Sequence, residues 1–340
     1  MGRREDRRLG ATDHPSEPVP DRRAAFRPEG ERSGVLLSLE EGFMPIIGVS
    51  TYSLFLKMTS LEAIRFAAAE GFGGVEIYTS PYVFTPDGAT EQDKKAIRSI
   101  GKKKGLSYAV HFAGGNDLAN VDKFHLAESR RKLRKTIEFC HEIGGGVVVV
   151  HPAQEPRMSI HKKHPLTQYP KYTLPNLRED ALARFKESLN DGAIWAKRAD
   201  VLLGLENYSH VPNCLQTRYE DLVEWVTEIG NPALQITLDT GHANLEGGVR
   251  EAIGIFGPRI VHVHLNDNNG KSSAHGELGA GTIRWDALRP FLRSFDGMLC
   301  IEILGFDDLE GSVLRSKAFM EKLLQRESCG ANVSSPPGPC

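Results

Sequence analysis

The stretch VHVHLND, Val261 to Asp267, places two histidines one residue apart in an apolar, β-branched run and then ends in polar residues. In a strand, residues i and i+2 share a face. His262 and His264 therefore face one way, and Val261 and Val263 the other. Taken alone, the pair reads as core histidines satisfied by neighbouring backbone. Other apolar runs end in the same manner, however. Glu76 lies in GGVEIY, His111 ends LSYAVHF, His151 ends GGVVVVH and Glu206 ends VLLGLE. Asp239 ends LQITLD with His242 three residues on, and Glu302 sits in MLCIEIL. Asp267 and His275 lie beyond His264. A buried carboxylate or imidazole without a partner costs several kcal/mol. A divalent cation is the simplest partner common to so many, because imidazole with carboxylate suits zinc, manganese, iron or cobalt. On this reading His264 is a ligand, and His262 orients it from one layer below.

The elements that must position these groups are eight apolar runs, at 45–51, 73–78, 106–112, 145–151, 201–206, 234–239, 259–265 and 298–304. Helical patterns separate them, among them LEAIRFAAAEG, ESRRKLRKTIEFCHEIG, EDALARFKESLNDGAIWAKRA and YEDLVEWVTEIG. Several end in Gly shortly before the next strand, as helix C-caps do. A last helix is expected from about Leu309 to Leu324. Strand then helix, eight times over, predicts a (β/α)₈ TIM barrel, in which the C-terminal strand ends converge on one mouth. A doubly wound sheet would usually carry a Gly-rich phosphate loop after its first strand, and none is present.

The order and spacing of LEN (205–207), LDTGHAN (238–244), HLNDNNG (264–270), HGELGAGTIRW (275–285) and IEI (301–303) carry a resemblance. The chain from about Ile46 to Leu324 resembles the xylose isomerase-like, AP endonuclease family 2 superfamily. That superfamily includes sugar and sugar-phosphate isomerases and epimerases, inosose dehydratases and endonuclease IV. In the isomerase and epimerase branch, the resemblance implies one divalent metal (Zn, Mn or Co) on Glu206, Asp239, His264 and Glu302. Glu206 and Glu302 would then exchange protons with a sugar or sugar phosphate through an enediolate. His242 matches that branch's substrate-binding histidine. In the endonuclease IV branch, the resemblance implies three zinc ions on His111, His151, Glu206, Asp239, His242, His264, His275 and Glu302, acting on abasic DNA. Ser273 stands where that pattern has an aspartate, two residues before His275. The sugar isomerase is the expected function and the nuclease the alternative. His111, His151, His242 and His275 are assigned to substrate or to additional metal.

The remaining readings are plainer. Glu76 is left out of the metal set, as a residue that pairs with a cation or binds substrate. Asp267 is expected to stiffen its loop through Asx-type hydrogen bonds. Trp285 is expected in the core, and His125, His141 and His210 on the surface. Residues 152–176 form a long aperiodic insertion carrying Arg157, His161, Lys162, Lys163, His164, Tyr169, Lys171 and Tyr172. It reads as a lid, a phosphate- or nucleic-acid-contacting loop, or simply a solvated one.

Composition fits a globular chain of 340 residues, 40% hydrophobic and 25% charged. A net charge of −2 gives no general basic field, so nucleic acid enters only under the nuclease reading. Five scattered cysteines point to a reducing compartment, with the cytoplasm as the expected location. No apolar run is long enough to span a membrane. A homo-oligomer is left open. The first 43 residues mix both charge signs with Pro and Gly and lack an apolar face. They read as a disordered extension before a metal-binding barrel at 44–326, with a disordered tail at 327–340.

Overall fold

A computed structural model describes residues 45–113, 117–154, 177–208, 214–305 and 307–325. The expectations for the two termini, His210 and nearly all of the basic-aromatic insertion lie outside the described residues. Eight parallel strands close into a barrel in chain order: β1 (Ile46–Ser50), β2 (Gly74–Thr79), β3 (Ser107–Phe112), β4 (Val147–Val150), β5 (Leu202–Glu206), β6 (Leu234–Asp239), β7 (Ile260–Leu265) and β8 (Met298–Ile301). Closure is made by β1 on β8, with Ile46 opposite Met298 and Val49 opposite Ile301. Their near-continuous apolar composition follows from burial on both faces, since a ring of helices covers the outside. The expected (β/α)₈ architecture is the observed one.

The helices are α1 (Ser60–Ala69), α2 (Glu91–Lys104), α3 (Lys123–Glu142), α4 (Leu177–Arg198), α5 (Tyr219–Ile229), α6 (Thr240–Leu245), α7 (Val249–Phe256), α8 (Trp285–Ser294) and α9 (Leu309–Leu324). Local chemistry sets several boundaries. Thr59 with Glu62 and Thr90 with Asp93 form capping boxes at α1 and α2. Gly105 and Gly230 close α2 and α5 in the left-handed conformation that glycine adopts without strain. The alternation departs from one helix per strand after β6, where the short α6 precedes α7. Among the described residues no helix is long and apolar enough to cross a membrane.

Most of the buried apolar side chains form one cluster between strands and helices. A smaller one, Ala109, Val147, Val149, Leu202, Val261, Met298 and Cys300 packed with Ile46, fills the barrel interior. Met298 plugs its floor. A Cβ on Gly48 or Gly74 would lie 2.5 Å from the Met298 Sδ or Cε respectively, so a side chain at either position would displace the buried Met298. Val261 corrects one expectation. It packs in the inner cluster while Val263 joins the outer one, so they do not share a face. The cause is a register shift: Ile236 pairs with Ile260 but Thr237 pairs with His262, leaving Val261 as an extra residue. His262 and His264 keep their common inward face beyond the shift.

Candidate metal centre

The mouth is built from short polar segments that tie strand ends together. Asn207, just after β5, accepts the Asp239 N–H at 2.8 Å and donates to the Asp239 carbonyl at 3.1 Å, locking β5 to β6. Asp239 then caps α6, its Oδ1 accepting the His242 N–H at 2.6 Å. Its Oδ2 accepts from Asn266 Nδ2 at 2.8 Å. Thr240 hydrogen-bonds the Asn266 backbone through its hydroxyl. Gly241 allows Asn266 this approach, because a Cβ there would lie 2.7 Å from the Asn266 Cγ and closer still to its Oδ1. The motif LDTGHAN is therefore a strand end, a cap and a bare backbone position that together aim the Asp239 carboxylate and the His242 ring.

Beyond β7, Asp267 acts as the loop-stiffening group expected of it. Its carboxylate accepts from the backbone of Asn268, Gly279 and Ile283 and from Trp285 Nε1. Trp285 is buried, as expected, and His125 and His141 are exposed. Backbone pairing of Asp267 with Gly276 folds the loop back over the strand end. His275 Nδ1 thereby comes within 3.1 Å of the Glu302 carbonyl.

Glu206, Asp239, His264 and Glu302 offer ligand atoms that all lie within 4.8 Å of one another, and all four residues are buried. His264 Nδ1 is 3.2 Å from Glu206 Oε1, 3.3 Å from Glu302 Oε2 and 3.9 Å from Asp239 Oδ2. These approaches leave His264 Nδ1 and both Glu206 oxygens without a hydrogen-bond partner, at essentially no exposure. Unsatisfied buried polar atoms cost about 1–3 kcal/mol each, and more when charged. Donors about 2.0–2.2 Å from one cation would themselves be about 2.8–3.6 Å apart in octahedral or tetrahedral geometry. The two shortest separations fall in that range, so the donor set fits a divalent ion.

A second group shares Glu206. His111 Nε2 and His151 Nε2 are 3.1 Å apart, and Glu206 Oε2 lies 3.5 Å from the first and 3.1 Å from the second. His242 Nδ1 is 3.5 Å from Glu206 Oε1, and His275 Nδ1 is 3.6 Å from Glu302 Oε2. All eight residues singled out in the sequence thus meet at one mouth. Among the described residues, neither His242 nor His275 belongs to a group of three close ligand atoms.

The sequence matches the family described as xylose isomerase-like TIM barrel over residues 64–323. The chain belongs to this family. It is 29% identical over 220 residues to a D-psicose 3-epimerase from Enterocloster bolteae, a match covering 61% of this chain and 64% of that protein. It is 23% identical over 234 residues to a probable endonuclease 4 from Mycobacterium leprae, covering 66% of this chain and 82% of that one. A solved D-tagatose 3-epimerase-like protein superposes with a TM-score of 0.67 at 23% identity, over 82% of this chain and 97% of its own. That likeness is one of fold.

Electrostatics in the mouth are dominated by imidazole–carboxylate pairs. Burial alone would raise the Glu206, Glu302 and Glu76 carboxyls. The charge on His264, with contributions from His151 at Glu206, His111 and His275 at Glu302 and further hydrogen bonds at Glu76, holds all three below the usual carboxylate range. Burial opposes protonation of the imidazoles. Glu302, Glu76 and Glu206 nonetheless raise His264 well above its ordinary value. His111 is pushed up to about 10 by Glu302 and Glu76, and His242 to about 9 by Asp239 and Glu206. His262 is lowered by burial. The same carboxylates that raise His264, His111 and His242 would favour any cation placed among them.

Sequence reasoning missed the position of Glu76. It is fully buried, and its Oε2 lies 3.1 Å from His262 Nε2 and 2.8 Å from His264 Nε2. It also missed the aromatic rim. Tyr52 stands 4.7 Å from Tyr78 and 6.0 Å from the His275 ring, and Tyr208 lies against His151 and His242. All three tyrosines are partly exposed. Tyr52 directly follows β1 and its Thr51, and Tyr208 directly follows LEN. Their place just past strand ends was a usable signal.

Proposed function

We propose that this protein is a divalent-metal-dependent isomerase or epimerase of a small ketose or ketose phosphate. The observation that carries the reading is the convergence of Glu206, from β5, and Glu302, from the end of β8, on the same His264 nitrogen. Glu206, Asp239, His264 and Glu302 would hold the ion, zinc, manganese or cobalt. When bound, such an ion supplies positive charge for the oxygens of a ketose carbonyl and its neighbouring hydroxyl. The chain's own groups move the proton. One of Glu206 and Glu302 takes it from the carbon beside the carbonyl, giving an enediolate, and the other returns one. The imidazoles beside them hold both carboxyls below the usual carboxylate range, so both are ionised at neutral pH. His111, His151, His242 and His275 would contact the hydroxyls, and Tyr52, Tyr78 and Tyr208 give the sugar ring or chain apolar faces with polar tips.

The second reading, an endonuclease IV-like phosphodiesterase on abasic DNA, is favoured by the His111–His151–Glu206 group and by the endonuclease 4 relative. Ser273 in place of the aspartate of that pattern weighs against it, and so do His242 and His275 outside any three-ligand group among the described residues. Incubation with ketoses and ketose phosphates in D₂O tests the choice. Deuterium should enter the carbon beside the carbonyl, with no incision of an abasic oligonucleotide. EDTA-sensitive cleavage 5′ to the abasic site, without exchange into any ketose, would overturn the isomerase reading.

A further inference from the structure

We propose that Glu76 is a positioning residue. It holds His264 with Nε2 protonated and turned toward the barrel floor, so that Nδ1 is presented to the cation site. The inference rests on the metal reading above and concerns a residue which that reading does not use.

Glu76 lies on β2, three strands around the barrel from β7. One of its oxygens, Oε2, lies within hydrogen-bond reach of two imidazoles from the same face of β7, His262 at 3.1 Å and His264 at 2.8 Å. All three side chains are fully buried, so water does not compete for these bonds. A carboxylate only accepts, so each facing Nε2 must carry its proton. A neutral imidazole, the form that binds a metal, has its lone pair on Nδ1 when it donates through Nε2. That atom is the one facing Glu206, Glu302 and Asp239. The reverse tautomer would set the Nε2 lone pair against a buried carboxylate and point an N–H at the ion.

His262 gives the arrangement its rigidity. Its bond to the same oxygen anchors Oε2 from below, while the other oxygen, Oε1, faces His111 Nδ1 at 3.6 Å, and Glu76 shares a group of close ligand atoms with His111, His264 and Glu302. Cys300 closes the floor beside them, its sulfur within 4.8 Å of ligand atoms of both. Two histidines at i and i+2 thus have different tasks, one to bind and one to brace, joined through a carboxylate far away in sequence. Partners of this kind orient a metal-bound imidazole and raise its basicity, and losing one typically weakens metal binding about 10–100-fold.

Two measurements on the full chain test this. The first needs no variant: ¹⁵N-histidine NMR of the zinc-loaded protein, with His264 assigned by substitution, should show Nδ1 metal-bound and Nε2 protonated. Metal on Nε2 would overturn the proposal. In the second, Co²⁺ is titrated into wild type, Glu76→Gln and Glu76→Asp, following the visible ligand-field bands and the melting temperature of the metal-free forms. Both variants should bind Co²⁺ about 10–100-fold more weakly with altered bands, Asp because its shorter arm withdraws the oxygen. The pair guards against one of them failing to fold. A folded variant with wild-type affinity and bands would overturn the positioning role and leave the metal reading intact. Wild type that binds no Co²⁺ or Zn²⁺ would overturn both.

Discussion

Gly241→Ala makes the sharpest test of the mouth's construction, because two effects predict opposite signs. Gly241 lies in α6, and alanine is favoured over glycine in a helix by up to about 1 kcal/mol. On helix propensity alone the substitution stabilises. The new Cβ, however, would lie 2.7 Å from the Asn266 Cγ and overlap its Oδ1, so Asn266 must move. Asn266 donates to the fully buried Asp239 carboxylate at 2.8 Å. A hydrogen bond to a charged group contributes about 1.5–3 kcal/mol. The net expectation is a loss of about 1–2 kcal/mol, or a melting temperature lower by about 2–8 °C in a domain of this size. Metal affinity should fall about 10–100-fold, since Asp239 loses a group that orients it. Scanning calorimetry and Mn²⁺ titration read both quantities. A double-mutant cycle with Asn266→Ala isolates the main clash, because with Asn266 truncated Gly241→Ala should lose most of its penalty, with the Asn268 Nδ2 at 3.2 Å as the tight contact that remains. A single Gly241→Ala variant that melts at or above wild type, with unchanged metal affinity, would refute the reasoning.

Glu206→Gln should stay folded yet lose about 10²–10⁴-fold in turnover along with much of its metal, because one group serves both tasks; near-normal turnover and metal content would unseat the assignment. Metal-free protein should lose stability as pH rises from about 6.5 through about 10. The folded-state values of His242 (about 9) and His111 (about 10) lie above those of an unfolded histidine, so their contribution is fully present below about 6.5 and lost above the raised values. Metal-loaded protein should slope the other way below neutrality, as protons compete for the ligands, and two parallel slopes in chemical melts would count against the site. A chain starting at Met44 should keep its melting temperature and turnover, and a drop of several degrees would assign residues 1–43 to the fold.

Much of this was legible because strand ends in a closed parallel barrel must converge. Once Glu206, Asp239, His264 and Glu302 were each placed at a strand end, their proximity followed from the fold without knowledge of any distance. The Asp267 and Trp285 readings were right in kind but incomplete. An Asx-type bond is visible locally at Asn268, whereas the bonds from Gly279, Ile283 and Trp285 depend on how a long loop returns. Glu76 was illegible for the same reason. Its partners stand three strands away, and pairing registers across the closure, not any motif in GVEIY, set them opposite. Val261 was misplaced because strict alternation assumes an unbroken ladder, and Val261 is itself the extra residue of β7, which shows only when β7 is paired against the consecutive Ile236 and Thr237 of β6.

The barrel interior is stratified, and the stratification explains how such a mouth is tolerated. At the floor, Met298 packs against bare backbone at Gly48 and Gly74 beside Val147, Val149 and Val261. Above it lie Glu76 and His262, then the Glu206–Asp239–His264–Glu302 group, then the tyrosine rim. Glu76, Glu206, Asp239 and Glu302 are 0–2% exposed, and burying a carboxylate in so dry a place costs several kcal/mol unless a positive partner answers it. The imidazoles among them answer part of that charge, since the carboxylates raise His264 and His111 against the effect of burial. Glu206 Oε1 and Oε2 and His264 Nδ1 nonetheless have no hydrogen-bond partner, and these are the atoms a cation would engage. A cation that engaged these atoms would bind the assembled strand ends more tightly than the unfolded chain, so part of its binding energy would appear as stability of the mouth.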